Sequence, residues 1–311
     1  MRTRLAPAAL ALTLVLNPTA HASGMSFSAS VDHDKLRLTC SDIEMRFSKD
    51  VRHSGDFMTV RRDRTIALPS TGSTPMRVRA PGRGGVRVQP SADGSASALV
   101  CMVAGANSQA AANAILDRVR VVNENGELTV AGPDDEDWAA YVVLSVPHDA
   151  LLDLSAENGE LALRGVSGHF SLRTTNGPIA VLDVAGEVVG EAVNGPISFR
   201  GHAGDIRLTA ENGPVDVKLD AATWTGKGLD ARTTNGPVQL STPENLRAGV
   251  LVEGSANSLF SWKNISRSHS QGWTRDHAIR LGEGPVLVRL STVNGPVQIK
   301  GGKGSSSSEG I

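Results

Sequence analysis

Aromatic side chains are scarce in this 311-residue chain: one tyrosine, four tryptophans and six phenylalanines. Its interior must be filled by Val, Ile, Leu and Ala, which suits repeated β structure, because strands favour β-branched residues. Neither sign of charge dominates, with 31 Lys and Arg against 32 Asp and Glu. That balance excludes the basic footprint of a nucleic-acid-binding domain. Long apolar runs are missing too. The longest, Leu5 to Leu16, holds 12 residues, too few to cross a bilayer as a helix. It follows Arg2 and Arg4 and precedes Ala20-His21-Ala22, the layout of a secretory signal peptide over residues 1–22. Ser23, rather than Cys, follows the expected cut, which argues against a lipid anchor. Cleavage there moves the formal charge from −1 to −3, and no later segment reads as transmembrane.

Only two cysteines are present, Cys40 and Cys101. In an oxidising compartment such a pair favours a disulfide, with two buried free thiols as the alternative. Two cysteines without a histidine pair at ligand spacing make no zinc site. The chain also lacks a G-x-S-x-G elbow, a P-loop, a G-x-G-x-x-G fingerprint and an H-E-x-x-H motif. No catalytic residue, cofactor or metal is therefore assigned.

What the chain does have is a repeat. Asn-Gly occurs at Asn125, Asn158, Asn176, Asn194, Asn212, Asn235 and Asn294. The steps from Asn158 to Asn212 are each 18 residues, the next is 23 and the last 59. From Asn176 onward each copy continues with proline (Pro178, Pro196, Pro214, Pro237, Pro296). Counting from each Asn, position 4 holds Leu161, Ile179, Ile197 and Val215, and position 6 holds Leu163, Val181, Phe199 and Val217. Positions 13 and 15 carry a second apolar pair, such as Phe170 and Leu172. Apolar residues two apart mark strands. Gly168, Gly186 and Gly204 at position 11 mark a second turn, so each copy is two short strands and two turns. The late copies keep the frame: Val288, Leu290 and Thr292 precede Asn294, and Val297 and Ile299 follow it.

Two architectures fit. One is an antiparallel β-meander with Asn-Gly hairpins. The other, preferred because it explains why one residue type returns to one column, is a right-handed single-stranded β-solenoid of ~18-residue rungs. It is expected over residues 123–300. Residues 23–122 read as an irregular β-rich region, with strands at Lys35 to Cys40, Ile43 to Phe47, Thr65 to Leu68, Met76 to Ala80 and Ala98 to Val103. Gly-rich breaks at Pro81-Gly82 and Gly84-Gly85 separate them, and one helix is expected over Ser108 to Val119. Residues 301–311 read as a disordered tail.

The copies Thr175-Asn176-Gly177-Pro178-Ile179-Ala180-Val181 and Val184-Ala185-Gly186-Glu187-Val188 resemble a bacterial domain-of-unknown-function family, the "putative adhesin" or toastrack-like β-solenoids of envelope proteins. The lead-in Tyr141 to Pro147 resembles the strand that opens those repeats. The resemblance covers about residues 120–300 and implies a right-handed β-solenoid in the envelope. It transfers no catalytic or binding residue.

Several groups compete as sites. The asparagine column reads as structural, because Asn tolerates left-handed backbone and its amide can bond from copy to copy. His169, Glu187 and Asp205 share position 12 and are expected on the outside, about 4.8 Å apart, as a metal or acid–base row or as solvated charge. His202 reads as a hydrogen-bonded wall histidine. Arg164, Arg200 and Lys218 share position 7, interrupted by Leu182, and could touch an anionic polymer. Asp134, Asp135, Glu136 and Asp137 read as a solvated loop without EF-hand spacing. Trp138, Trp224, Trp262 and Trp273 lie in or near the insertions, where recognition is expected because loops carry function on regular scaffolds. The expectation is a non-catalytic exported envelope protein, periplasmic, surface-bound or secreted, that serves as a β-solenoid scaffold for adhesion, binding or assembly, with an envelope protein or glycan as the candidate partner. The alternatives are a glycan-active lyase or hydrolase on a parallel β-helix and an envelope-stress module acting through a protein partner.

Overall fold

The computed structural model describes residues 14–15, 25–32, 34–49, 58–69, 74–263, 270–274 and 277–301. The expected signal peptide therefore lies outside the described residues, except for Leu14 and Val15, which pair with Ala29 and Ser28. Of the expected tail, only Gly301 is described, ending the strand Val297–Gly301.

Among the described residues, the chain is all-β apart from one 10-residue α-helix and a short 3-10 turn. Two long sheets, one of eleven strands and one of twelve, carry the repeats, and a small three-stranded sheet holds the N-terminal hairpin. Through the repeats, consecutive strands alternate between the two long sheets and each pairs in parallel with the strand one copy on. In the eleven-stranded sheet Leu161, Ile179, Ile197, Val215, Val238 and Val297 stand in one row. In the twelve-stranded sheet Leu152, Phe170, Val188, Ile206, Leu229 and Val288 form the facing row. These rows belong to one core drawn from both sheets. Among the described residues, the antiparallel meander does not occur in the Asn-Gly-Pro copies; antiparallel pairs are confined to strands before Pro147, including two inside the expected repeat span, and to the last insertion.

Parallel stacking in register explains the Asn-Gly-Pro sequence. The Asn176 side-chain amide donates to the Asn158 side-chain oxygen at 2.9 Å. The same bond recurs through Asn194, Asn212, Asn235 and Asn294 at 2.9–3.1 Å, so six asparagines form one ladder. Each proline sits where no ladder donor is needed, and its carbonyl accepts the N–H of the preceding copy's first strand residue, as Pro196 does from Ile179 at 3.0 Å. Asn194 both donates and accepts in this ladder. Asn194→Ala should therefore cost about 1–3 kcal/mol, read as a lowered denaturation midpoint, and an unchanged midpoint would remove the ladder from the stability argument.

The stack does not follow chain order at either end. Met76–Arg79 pairs with Leu152–Ser155, and Gly84–Pro90 pairs with Gly159–Leu163. These two strands make a rung beneath the first Asn-Gly copy, with Arg83 in the place of the asparagine. Gly84 and Gly85, expected as a break, belong to a strand of this rung. They are glycines because the neighbouring backbone comes very close: a Cβ on Gly84 would stand 1.7 Å from the Ala140 carbonyl oxygen. At the other end, Gly249–Glu253 and Phe260–Lys263 pair with the outer side of the Val286–Gly301 rung. The 59-residue step thus holds the terminal rung, and the chain returns to insert its last copy inside it.

The helix Gln109–Arg118 begins at Ser108, whose hydroxyl accepts from the Ala111 N–H at 3.1 Å. Its Ile115 and Leu116 close the N-terminal end of the core. Lys35 to Cys40 is not a strand. Thr39 and Asp42 form a capping box that turns the chain into the 3-10 segment Cys40–Asp42.

Candidate functional site

Strand alternation places position 12 on the outside of the twelve-stranded sheet, where His169 faces Glu187 and Glu187 faces Asp205. The ring nitrogen Nδ1 of His169 lies 3.3 Å from Glu187 Oε2, and Lys227 Nζ lies 3.1 Å from Asp205 Oδ2. Farther along this face Arg173 bridges Asp153 at 3.0 Å and Glu191 at 3.7 Å, while Arg232 pairs with Asp230. The row is an open mosaic in which Glu187 and Asp205 each have a basic side chain alongside. Among the described residues, no group of three or more His, Cys, Asp or Glu side chains could hold a metal ion.

Groups from different rungs converge on the other sheet instead. Position 7 does bring Arg164, Leu182, Arg200 and Lys218 into one row, but its two arginines are already engaged. Arg164 lies 3.0 Å from Asp183, and Arg200 lies 3.0 Å from Asp34 and 3.6 Å from Asp183. His202, half-exposed, bonds Asp220 at 2.7 Å. Partial desolvation and the nearby Asp220 raise the Asp183 pKa, with His202 acting in the opposite direction. Three carboxyls, two guanidinium groups and an imidazole thus meet where residue 34 crosses the stack. Asp183 and Asp220 sit at positions 8 and 9, where the neighbouring copies hold Gly165, Gly201 and Leu219 and Val166, Val184 and His202. The sequence therefore offered no repeated acid to find.

That crossing segment is part of a cover. Val31, Leu38, Ile43, Met45 and Phe47 pack against the outward side chains Cys101, Val103, Ala139, Tyr141 and Val143 in a second core. Cys40 and Cys101 are joined across it, with their Cα atoms 5.4 Å apart. Arg87 is fully buried beneath the cover and donates through Nη2 to the Lys35 carbonyl. Among the described residues, its Nε and Nη1 have no hydrogen-bond partner. Burial lowers the Arg87 pKa, while Tyr141 and Glu160 pull it upward. The Tyr141 hydroxyl donates to Glu160 at 2.9 Å, and burial raises the Tyr141 pKa well above its usual value. Gln89 accepts the Leu38 N–H at 2.7 Å. Arg87 and Gln89, polar residues at two outward positions of the Gly84–Pro90 strand, were the available signal for this polar seam.

The remaining candidates are structural where the structure describes them. Trp224 is buried, stands 5.7 Å from Phe199 between ring centres and donates to the Gly204 carbonyl at 3.1 Å. It fills the 23-residue step from inside, so this insertion does not present its tryptophan for recognition. Trp138 packs on the core and donates to the Pro133 carbonyl. The Trp262 and Trp273 side chains lie outside the described residues. In the acidic loop Asp137 pairs with Arg83 at 3.0 Å, and Glu136 pairs with Arg118.

No family model matches the chain, and no curated protein matches it. Solved structures do resemble it. A "putative adhesin" from Bacteroides fragilis NCTC 9343 is 11% identical with a TM-score of 0.39, over 80% of this chain and 98% of that one. A second, from Parabacteroides distasonis ATCC 8503, is 13% identical with a TM-score of 0.31, over 80% and 98%. A "putative lipid binding protein" from the same organism is 9% identical with a TM-score of 0.32, over 78% and 97%. The adhesin names are those of the family that the repeats resemble. Likeness this remote carries no argument about function.

Proposed function

We propose that this chain is an exported, non-catalytic envelope protein whose rungs wind as a right-handed β-solenoid and present flat outer faces to a protein or glycan partner. The observation that carries this reading is that charges on the outer faces pair from one rung to the next: His169 with Glu187, Lys227 with Asp205 and Arg173 with Asp153 and Glu191 on one sheet, and Arg164 and Arg200 with Asp183 on the other. The acids that do converge, Asp183, Asp220 and Asp34, are held with Arg164 and Arg200 as a clasp on the N-terminal cover. A strand that crosses to the facing sheet and returns parallel beside its predecessor favours right-handed winding. The joined cysteines suit an oxidising compartment. Among the described residues, no helix is long and apolar enough to cross a membrane.

Crosslinking in living cells, followed by identification of what is captured, tests this reading. A recurrent envelope protein or glycan is the expected product. Turnover of a captured glycan by the purified protein, abolished by Asp183→Asn with Asp220→Asn, would replace the scaffold with a glycan-active enzyme.

A further inference from the structure

The eleven-stranded sheet ends in an edge strand, Met58–Ala67. All ten of its residues pair antiparallel with Ser97–Ala106, from Met58 opposite Ala106 to Ala67 opposite Ser97. Among the described residues no strand pairs with its other side. Alternate N–H and C=O groups along this strand therefore point away from the sheet. A long, exposed edge of this kind is a ready template for another strand. At the opposite end of the same sheet the edge strand, Phe260–Lys263, has only four residues, so the two ends are not equivalent.

The edge also carries a sign. Arg61, Arg62 and Arg64 stand against one acid, Asp63. Arg62 pairs with Asp117 of the helix at 2.8 Å, and Arg61 donates to the Met45 carbonyl at 3.0 Å. Neither contact uses the strand's free backbone. A hydrogen bond to a carbonyl leaves the Arg61 charge uncompensated, and Arg64 has no ion pair among the described residues. Met58 is 48% exposed and offers an apolar anchor at one end.

We propose that Met58–Ala67 is a strand-addition site for an extended acidic peptide segment. Its main chain would extend the sheet, and its carboxylates would meet Arg61 on one face of the added strand and Arg64 on the other. A second copy of this chain fits less well, because antiparallel self-pairing brings two arginine-rich edges together and opposes like charges. This inference goes beyond the scaffold reading. Failure of peptide binding leaves the outer faces and the crosslinking test untouched.

The probe is a fluorescent ten-residue peptide with Glu-Glu steps separated by Val and Thr, so that an added strand carries carboxylates on both faces, titrated against the intact protein and followed by anisotropy. Binding should exceed that of a Gln-for-Glu peptide by about tenfold and weaken between about 50 and 500 mM salt. Arg61→Glu with Arg64→Glu should remove that preference while the thermal transition is retained. Wild-type protein supplies the second readout. N-methylation of one alternate set of peptide amides should abolish binding, and methylation of the other set should not. Equal binding of both methylated peptides, or of the acidic and neutral peptides, would overturn the proposal. So would self-association in sedimentation that is lost in a variant with Val60→Pro, which would assign the edge to a second copy.

Discussion

Gly195→Ala should be among the most damaging single-methyl substitutions in the chain, lowering stability by about 3 kcal/mol or more. A Cβ at Gly195 would stand 2.0 Å from the Gly177 carbonyl oxygen and 2.6 Å from its carbonyl carbon. These are backbone atoms, so no rotamer change relieves the clash. The rung cannot retreat either, because the Asn194 side chain is bonded to Asn176 at 3.0 Å and Asn212 to Asn194 at 3.1 Å. The Ile197 N–H is tied to the Pro214 carbonyl at 2.9 Å on the other side. The same clash recurs at Gly177, Gly213, Gly236 and Gly295, where an added Cβ would stand 2.0–2.2 Å from the carbonyl oxygen of the glycine below. Gly82→Ala is the control, since nothing lies within 4 Å of a Cβ there. Chemical denaturation should separate the two variants clearly. Equal midpoints for Gly195→Ala and wild type would mean that the rungs are spaced more widely than this structure has them.

This clash shows why so much of the fold was legible in the sequence. When copies stack in parallel and in register, each residue meets its own counterpart. The asparagine, glycine and apolar columns thus report tertiary contacts directly. The ends were less legible for the same reason. The rung at residues 76–90 has Arg83 where the others have asparagine, so only Met76, Val78, Val86 and Val88 betray it, and four apolar residues at strand spacing are common. Nor does register reveal spatial order. Val288 and Val297 keep the frame whether the rung at residues 249–263 lies inside or outside them. The cover left a fainter trace. The outward residues Ala162, Ala180 and Leu182 are buried, whereas in later rungs the same positions hold Asp216, Lys218 and Gln239, none of them buried. Small and apolar residues on an outer face meant that something lay over it, but not what.

The second large effect concerns what holds that cover down. Removing the Cys40–Cys101 link, by reduction or by Cys40→Ser with Cys101→Ser, should weaken attachment of the N-terminal segment by about 4 kcal/mol. That is the chain-entropy value for a closed loop of about this size, and the cysteines are 61 residues apart. Without the link, the segment holds through a second core of ten buried residues, the Arg200–Asp34 pair and the bonds at Arg87 and Gln89. The stack has its own, far larger core, to which the inward residues Val100, Met102 and Ala104 around Cys101 belong. The loss should therefore appear as a separate, earlier opening of residues 25–49, not as collapse of the rungs. Hydrogen exchange should show amides of Ile43–Lys49 becoming labile on reduction while those of Ile197–Gly201 stay protected. Opening also exposes Arg87, whose charge burial disfavours, and its return to water offsets part of the lost packing. A mobility shift on a denaturing gel only after reduction establishes the link. Thiol labelling of the unreduced, denatured protein would show that it is absent, and the cover would then have to be held by packing alone.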